Sequence, residues 1–283
     1  MQNLKCLILL SFNQTNSWYP NKRSKYGRQF SALMKSRKFR RDQPYLFFKA
    51  EIAHIAVNSR CRTVIVFSII SGSHIESKYS NSAIGKKFGF IYLAHYGNWE
   101  WVSSMALHIH AADANVKSGQ IYHPLRNAAF DRLFLKMRGR FDGDNIAMKE
   151  TLRYILRKRQ KNEPAIIGFI ADQAPKWSSI HHWIDFLHHN TPVFTGTEQI
   201  AKQVDALLFY CHVERPSRGH YRCTITEITD NAKSHPDFEL TDAYFARLAE
   251  TINQEPALWL WSHKRWKRTY EEFLERQKMG LHG

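Results

Sequence analysis

The chain has 283 residues, 43% hydrophobic and 13% aromatic, which is enough to bury a sizeable core in one or two domains and excludes a disordered chain. Its 41 Lys and Arg against 25 Asp and Glu leave a formal charge of +16, so an anionic partner is implied: nucleic acid, or phospholipid or lipopolysaccharide head groups. Four cysteines (Cys6, Cys61, Cys211, Cys223) show neither CxxC nor zinc-like spacing, and reduced thiols in a cytoplasmic compartment are expected.

Residues 1–12 carry one Lys and a short apolar stretch with no small-residue cleavage site, which argues against a secretory leader. Residues 1–85 as a whole read as an atypical N-terminal segment. A basic, Ser-containing stretch over 21–41 has no sustained period, and 71–74 and 77–82 are loop-like. The longest apolar run, 63–70, is far below the ~20 residues a bilayer span needs, so membrane contact is expected to be peripheral.

From residue 86 to about 275 the pattern becomes that of one regular domain. An apolar run predicts a buried strand over 88–94, followed by a helix over 99–110 with Val102, Met105, Ala106 and Ile109 at helical spacing. A short strand over 116–122 precedes a helix over 127–137, with Phe130, Leu133, Phe134 and Met137 on one face. The next helix, 148–159, has an apolar stripe of Met148, Leu152, Ile155 and Leu156. Its other face carries Lys149, Arg153, Arg157, Lys158 and Arg159. A second buried strand, 164–171, ends on Asp172-Gln173. The run Thr195-Gly-Thr-Glu198 has the pattern of a capping box and predicts a helix to 204. Strands over 206–213 and 221–228, a helix over 242–253 and an aromatic, basic tail over 259–268 complete the chain. Strands alternating with helices give an α/β class: a mixed, largely parallel sheet flanked by helices, finished by an antiparallel pair.

The residues of greatest chemical interest are His95 and Glu100, directly after the first buried strand. On one continuous helix they would point roughly 140° apart, whereas a turn through Gly97-Asn98 lets imidazole and carboxylate meet. A structural pair at a strand–helix junction is one reading. A base oriented by an acid at the carboxyl end of a strand is the other, and it suits activation of a hydroxyl. Asp172 faces the same sheet edge if its strand is parallel to the first, and serves either as a loop cap or in acceptor binding. Arg126, Arg132, Arg138 and Arg140 are either solvated or available to phosphate groups.

Two clusters invite further readings. His181, Asp185 and His188 or His189 would share a face on a helix as metal ligands do, but Trp183 to Leu187 reads better as a short strand, so neither metal nor cofactor is expected. The tail interleaves Trp259, Trp261 and Trp266 with Lys264, Arg265, Lys267 and Arg268. It reads either as core packing with a wet basic face or as a belt at a membrane interface. A nucleic-acid-binding protein is the alternative reading of the charge. No RNP, KH, helix-turn-helix or zinc-finger pattern is visible, so no nucleic acid partner is expected.

His-Tyr-Gly-Asn-Trp-Glu (95–100) resembles the HxxxxD/E motif of glycerolipid acyltransferases, in the form found in the lipid A biosynthesis late acyltransferases. Three more blocks agree in order: Tyr122-His-Pro-Leu-Arg-Asn127 with Phe130-Asp-Arg-Leu133, Asp172-Gln173, and the tail from Trp259 to Lys267. The resemblance implies a glycerolipid acyltransferase-like fold. It also implies transfer of a fatty acyl chain from acyl carrier protein to a hydroxyl of a lipid A precursor, an acylated and phosphorylated glucosamine disaccharide. His95 would be the general base and Glu100 its partner, with Asn98, His123, Arg126, Asp172, Lys264 and Arg265 in substrate binding. The place of action would be the cytoplasmic face of the inner membrane, on an anionic membrane surface. Two departures accompany the resemblance. His123 stands where relatives usually have an arginine, with Arg126 three residues on, and residues 1–85 show no long apolar anchor helix. They leave open a catalytically inactive relative as a further reading.

Overall fold

The apolar run beginning at Phe88 forms β3 (Phe88–Leu93), and every one of its residues is buried. A strand covered on both faces reads as a continuous apolar run rather than an alternation, and this one sits in the middle of a parallel sheet. The computed structural model describes residues 54–58, 63–70, 88–218 and 220–281. Its main sheet has eight strands in the order β1-β2-β10-β9-β3-β6-β4-β5. These are β1 (His54–Asn58), β2 (Thr63–Ile70), β3, β4 (Lys117–Tyr122), β5 (Asp144–Ala147), β6 (Ala165–Ile170), β9 (Leu207–Ser217) and β10 (His220–Thr229).

The central strands β9, β3, β6, β4 and β5 are parallel, β9 and β10 form an antiparallel pair, and β10 runs parallel to β2. The sheet is therefore mixed and mostly parallel, with helices flanking it, as the sequence pattern implies. The apolar run Thr63–Ile70 is a strand of this sheet, and the segment 1–85 contributes both β1 and β2 to it. The stretches 1–53, 71–74 and 77–82 lie outside the described residues.

The connections carry α1 (Met105–Ala112), α2 (Ala128–Arg138), α3 (Thr151–Gln160), α4 (Gly196–Val204), α5 (Glu239–Gln254) and α6 (Tyr270–Lys278). The helix expected from residue 99 begins instead as a 3-10 turn, Trp99–Ser104, and the helix expected from 148 as a 3-10 turn, Met148–Glu150. α2 starts where Asn127 accepts from the amides of Ala129 and Phe130, satisfying donors that have no partner inside the helix. α5 presses Tyr244, Phe245, Leu248 and Ile252 into the core. The Tyr244 ring stacks on Tyr92 of β3 at 4.4 Å, and its hydroxyl donates to the Leu93 carbonyl at 2.7 Å.

The Thr195–Glu198 pattern does not act as a capping box. Thr195 makes no side-chain cap bond, and the Glu198 carboxylate turns inward to accept from the amides of Phe238 and Thr241 and from the Thr241 hydroxyl. It caps the start of α5, not of its own helix. A separate hairpin pairs β7 (His182–Phe186) with β8 (His189–Val193), turning through Leu187 and His188, both at positive φ.

Candidate active site

Strand register brings the first two groups together. β3 and β6 run parallel with Leu93 opposite Ile170, so the residues two positions beyond each strand, His95 and Asp172, emerge at the same level of the carboxyl edge. His95 Nδ1 lies 2.6 Å from Asp172 Oδ1. The backbone amide of His95 also donates to Oδ2 at 3.1 Å, and the Trp259 indole donates to Oδ2 at 2.9 Å. Asp172 is 3% exposed and His95 20% exposed. Burial alone would push the Asp172 carboxyl up. The His95 ring, the Trp259 indole and the His95 amide outweigh it and hold the group below the usual carboxylate range.

An ionised carboxylate only accepts, so the proton on this imidazole sits on Nδ1 and the lone pair on Nε2. The side-chain amide of Gln173 lies 3.4 Å from Nε2. That contact is long, and an incoming hydroxyl displaces it readily. The Trp99 ring meets His95 edge-on with centroids 5.4 Å apart. A second histidine, His263, lies close by. Burial and the charges of Lys267 and Arg265 lower its pKa, and its neutral Nε2 accepts from the Ala174 amide at 3.3 Å.

The last wall comes from the tail. Residues 258–260 lie antiparallel to 95–97: the Gly97 amide donates to the Leu258 carbonyl at 2.9 Å and the Leu260 amide to the His95 carbonyl at 3.0 Å. Gly97 has φ +58, a conformation that glycine adopts without strain, and an added Cβ would meet Val213 at 3.3 Å. The turn therefore depends on glycine to pass from β3 into the 3-10 turn beside the tail.

Glu100 does not meet His95 in the way a turn through Gly97-Asn98 suggests. It sits in the 3-10 turn Trp99–Ser104 and faces α2, where Oε1 lies 2.6 Å from Arg138 Nη2 and Oε2 lies 2.9 Å from Arg138 Nε. This is a bidentate pair, planar fork against carboxylate, and each partner is about one-fifth exposed. The carboxylate bonded to His95 is Asp172. The physical reason is register: parallel pairing fixes Asp172 at the level of the histidine, while the 3-10 turn carries Glu100 away toward α2.

The other expected binding residues are dispersed. Asn98 precedes the 3-10 turn and its side chain makes no cap bond. His123 and Arg126 are exposed beyond the end of β4, with the His123 ring within 2.9 Å of the Pro124 carbonyl. Lys264 is exposed, but Arg265 is 2% exposed. Arg265 donates to the Pro192 carbonyl at 3.0 Å and stands over the Phe245 ring, and burial pushes its pKa down to about 10. It is a residue of the core, not of the surface where the resemblance would put a substrate contact. Trp259 and Trp266 also point inward, Trp266 donating to the Thr191 hydroxyl, whereas Trp261 is exposed. The tail thus packs Trp259 and Arg265 into the core and leaves Trp261, Lys264 and Lys267 on a wet face. In the hairpin, His182 pairs with Asp242 at 2.7 Å and His189 packs on Trp266. Among the described residues no three His, Cys, Asp or Glu side chains form a group able to hold a metal.

Sequence reasoning singled out His95 and Asp172 separately but missed the roles of Trp259 and His263. The signal lies in the tail block, where core packing and a membrane belt are both open on the sequence and neither points to a bond with Asp172.

The model of the family described as bacterial lipid A biosynthesis acyltransferase matches residues 46–268, the greater part of the chain, including β1, β2, His95, Glu100, Asp172 and Trp259. No curated protein matches the chain.

Proposed function

The chain belongs to the bacterial lipid A biosynthesis acyltransferase family and is an acyltransferase of lipid A assembly, and from that premise we propose that it moves a fatty acyl chain from acyl carrier protein to a hydroxyl of an acylated, phosphorylated glucosamine disaccharide. The single observation that carries the mechanism is the 2.6 Å contact between His95 Nδ1 and buried Asp172. It leaves Nε2, on a ring that is 20% exposed, as the acceptor of a proton.

In this reading Nε2 takes the proton of the sugar hydroxyl as its oxygen attacks the thioester carbonyl. A tetrahedral intermediate forms, the carbon–sulfur bond breaks, and the departing thiolate takes the proton back from the imidazolium. No acyl-enzyme is required. Asp172 keeps its charge throughout, fixing the tautomer and stabilising the imidazolium. Glu100 acts at one remove, by holding Arg138 beside the site. His123 and Arg126, exposed at the carboxyl edge of the same sheet, meet the acceptor's phosphates.

Among the described residues no helix is long and apolar enough to cross a membrane. The enzyme works as a peripheral protein at the cytoplasmic face of the inner membrane, where both substrates meet. Mass spectrometry of lipid A from cells lacking the gene and from complemented cells tests the reading. One acyl chain should be missing in the first and restored in the second, and unchanged lipid A in both refutes it.

A further inference from the structure

Four of the large apolar side chains left in solvent are Leu125 (45% exposed), Phe130 (51%), Met148 (46%) and Leu152 (40%). Leu125 lies just past the end of β4 and Phe130 in the first turn of α2. Met148 follows β5 directly, and Leu152 is in the first turn of α3. β4 and β5 run parallel to β6 and β3, so all four residues gather at the carboxyl edge of the sheet, the edge that carries His95 and Asp172.

Helical spacing extends the pattern. Met148, Leu152 and Leu156 recur every fourth residue, all exposed, while Thr151 and Ile155 take the buried face. One position on, Lys149, Arg153 and Arg157 recur with the same spacing as an exposed basic stripe. The carboxylate of this turn, Glu150, is matched by Arg153 at 2.8 Å, so Lys149 and Arg157 stay in surplus. A face with greasy side chains beside a row of cations, and no net negative charge, matches an anionic bilayer: the apolar residues enter the acyl boundary while the cations meet lipid phosphates.

We propose that the rim formed by Leu125, Phe130, Met148 and Leu152, with the basic stripe of α3, is the surface by which this protein docks on anionic membrane, setting the mouth of the His95 site against the bilayer. The proposal rests on the acyl-transfer reading for its purpose but not for its evidence. An acceptor that carries several acyl chains does not leave the bilayer, so the site must come to it. The exposed tail end offers a comparison: Met279 (63% exposed) and Leu281 (49%) are comparably exposed but lie at the end of α6 and beyond, outside the apolar and basic stripes of α3.

The test is sedimentation of the full chain with vesicles of phosphatidylglycerol and phosphatidylcholine, or of phosphatidylcholine alone. Wild-type protein is expected to bind the anionic vesicles and to leave them as salt rises. A Phe130→Gln, Met148→Gln, Leu152→Gln variant, with its unfolding transition unchanged, is expected to bind about tenfold or more weakly. Met279→Gln, Leu281→Gln is expected to stay within about twofold of wild type. Equal binding by the rim variant and wild type overturns the proposal. So does a rim variant that binds vesicles normally yet loses turnover with acyl carrier protein as donor, which would assign the rim to the carrier. Rim-dependent binding by a protein that transfers no acyl chain would uphold the surface and refute the acyl-transfer reading instead.

Discussion

Trp259 pairs with Tyr96 across a lone antiparallel bridge, and that bridge sets the Trp259 indole 2.9 Å from Asp172 Oδ2. The carboxylate that orients His95 is thereby held from both sides, by the strand end that carries the base and by a tail from the far end of the chain.

Replacing Trp259 by Phe removes a donor to a buried charge, a bond of about 1.5–3 kcal/mol. Oδ2 keeps only the His95 amide, and the carboxyl pKa rises. The expected result is a turnover loss on the order of tenfold, with the acid limb of the pH–rate profile moved to higher pH and KM for the donor little changed. An acid limb that stays where it was would detach Trp259 from the chemistry.

Asp172→Asn keeps the shape of the side chain but offers Nδ1 an amide in place of a carboxylate. The imidazole loses its fixed tautomer and the charge that stabilises its protonated form. Turnover should fall on the order of 10³-fold or more. Combined with His95→Ala, the loss should be no greater than for His95→Ala alone, since the two act as one unit. Additive losses in single-turnover assays would show that they do not.

Glu100 and Arg138 make a separate unit. If Glu100 works by holding Arg138, Glu100→Gln and Arg138→Gln reduce turnover to a similar extent and the double variant loses little more. Each single change should cost about 1 kcal/mol of stability, the solvent at this partly exposed pair weakening the effect. Turnover that falls with Glu100→Gln but is untouched by Arg138→Gln would return Glu100 to a direct role beside His95.

Two carboxylates give the pH dependence of stability opposite signs. Asp172 has a folded pKa below its unfolded value, so its contribution is present at neutral pH and is lost as pH falls through the folded value. Glu227 is pushed up to about 7, by burial first and then by Asp230. Its folded state holds a proton that the unfolded chain has released, so its contribution is present below the unfolded value of 4.5 and is lost as pH rises toward 7. Melting temperature should decline between pH 5 and pH 7 (about the window those values set), and Glu227→Gln should flatten that decline. A slope identical in the two proteins would place the titrating group elsewhere.

Periodicity made the strand cores legible, because burial on both faces of β3 and β6 leaves continuous apolar runs; the apolar stripe of α2 was equally legible, yet only Met137 of it is buried and Phe130 is exposed. His95 stood out by position, at the end of such a run. Its partner was legible only on condition, since the sequence separation of His95 and Asp172 is closed by strand register and by nothing local. Glu198 shows the limit of local motifs: a residue spaced to cap its own helix instead caps α5, because a buried carboxylate goes where three donors converge. Arg265, open on the sequence to core packing, a membrane belt or substrate binding, is buried for a reason that no local pattern shows. Alternating indoles and cations look alike whether they face lipid or a core, and only packing against Phe245 and Pro192 distinguishes the two.

The order of the sheet bears on how the molecule is made. β2 leaves the ribosome early, yet its neighbours are β1 and β10, and β10 is the last strand of the sheet to be synthesised. A nascent chain therefore carries β2 with one edge unsatisfied until nearly all of the protein has emerged, an arrangement that slows folding and exposes an aggregation-prone edge. Chaperone demand during translation should concentrate on 63–70, and pulse proteolysis of stalled chains should show that segment gaining protection only once 220–229 has emerged.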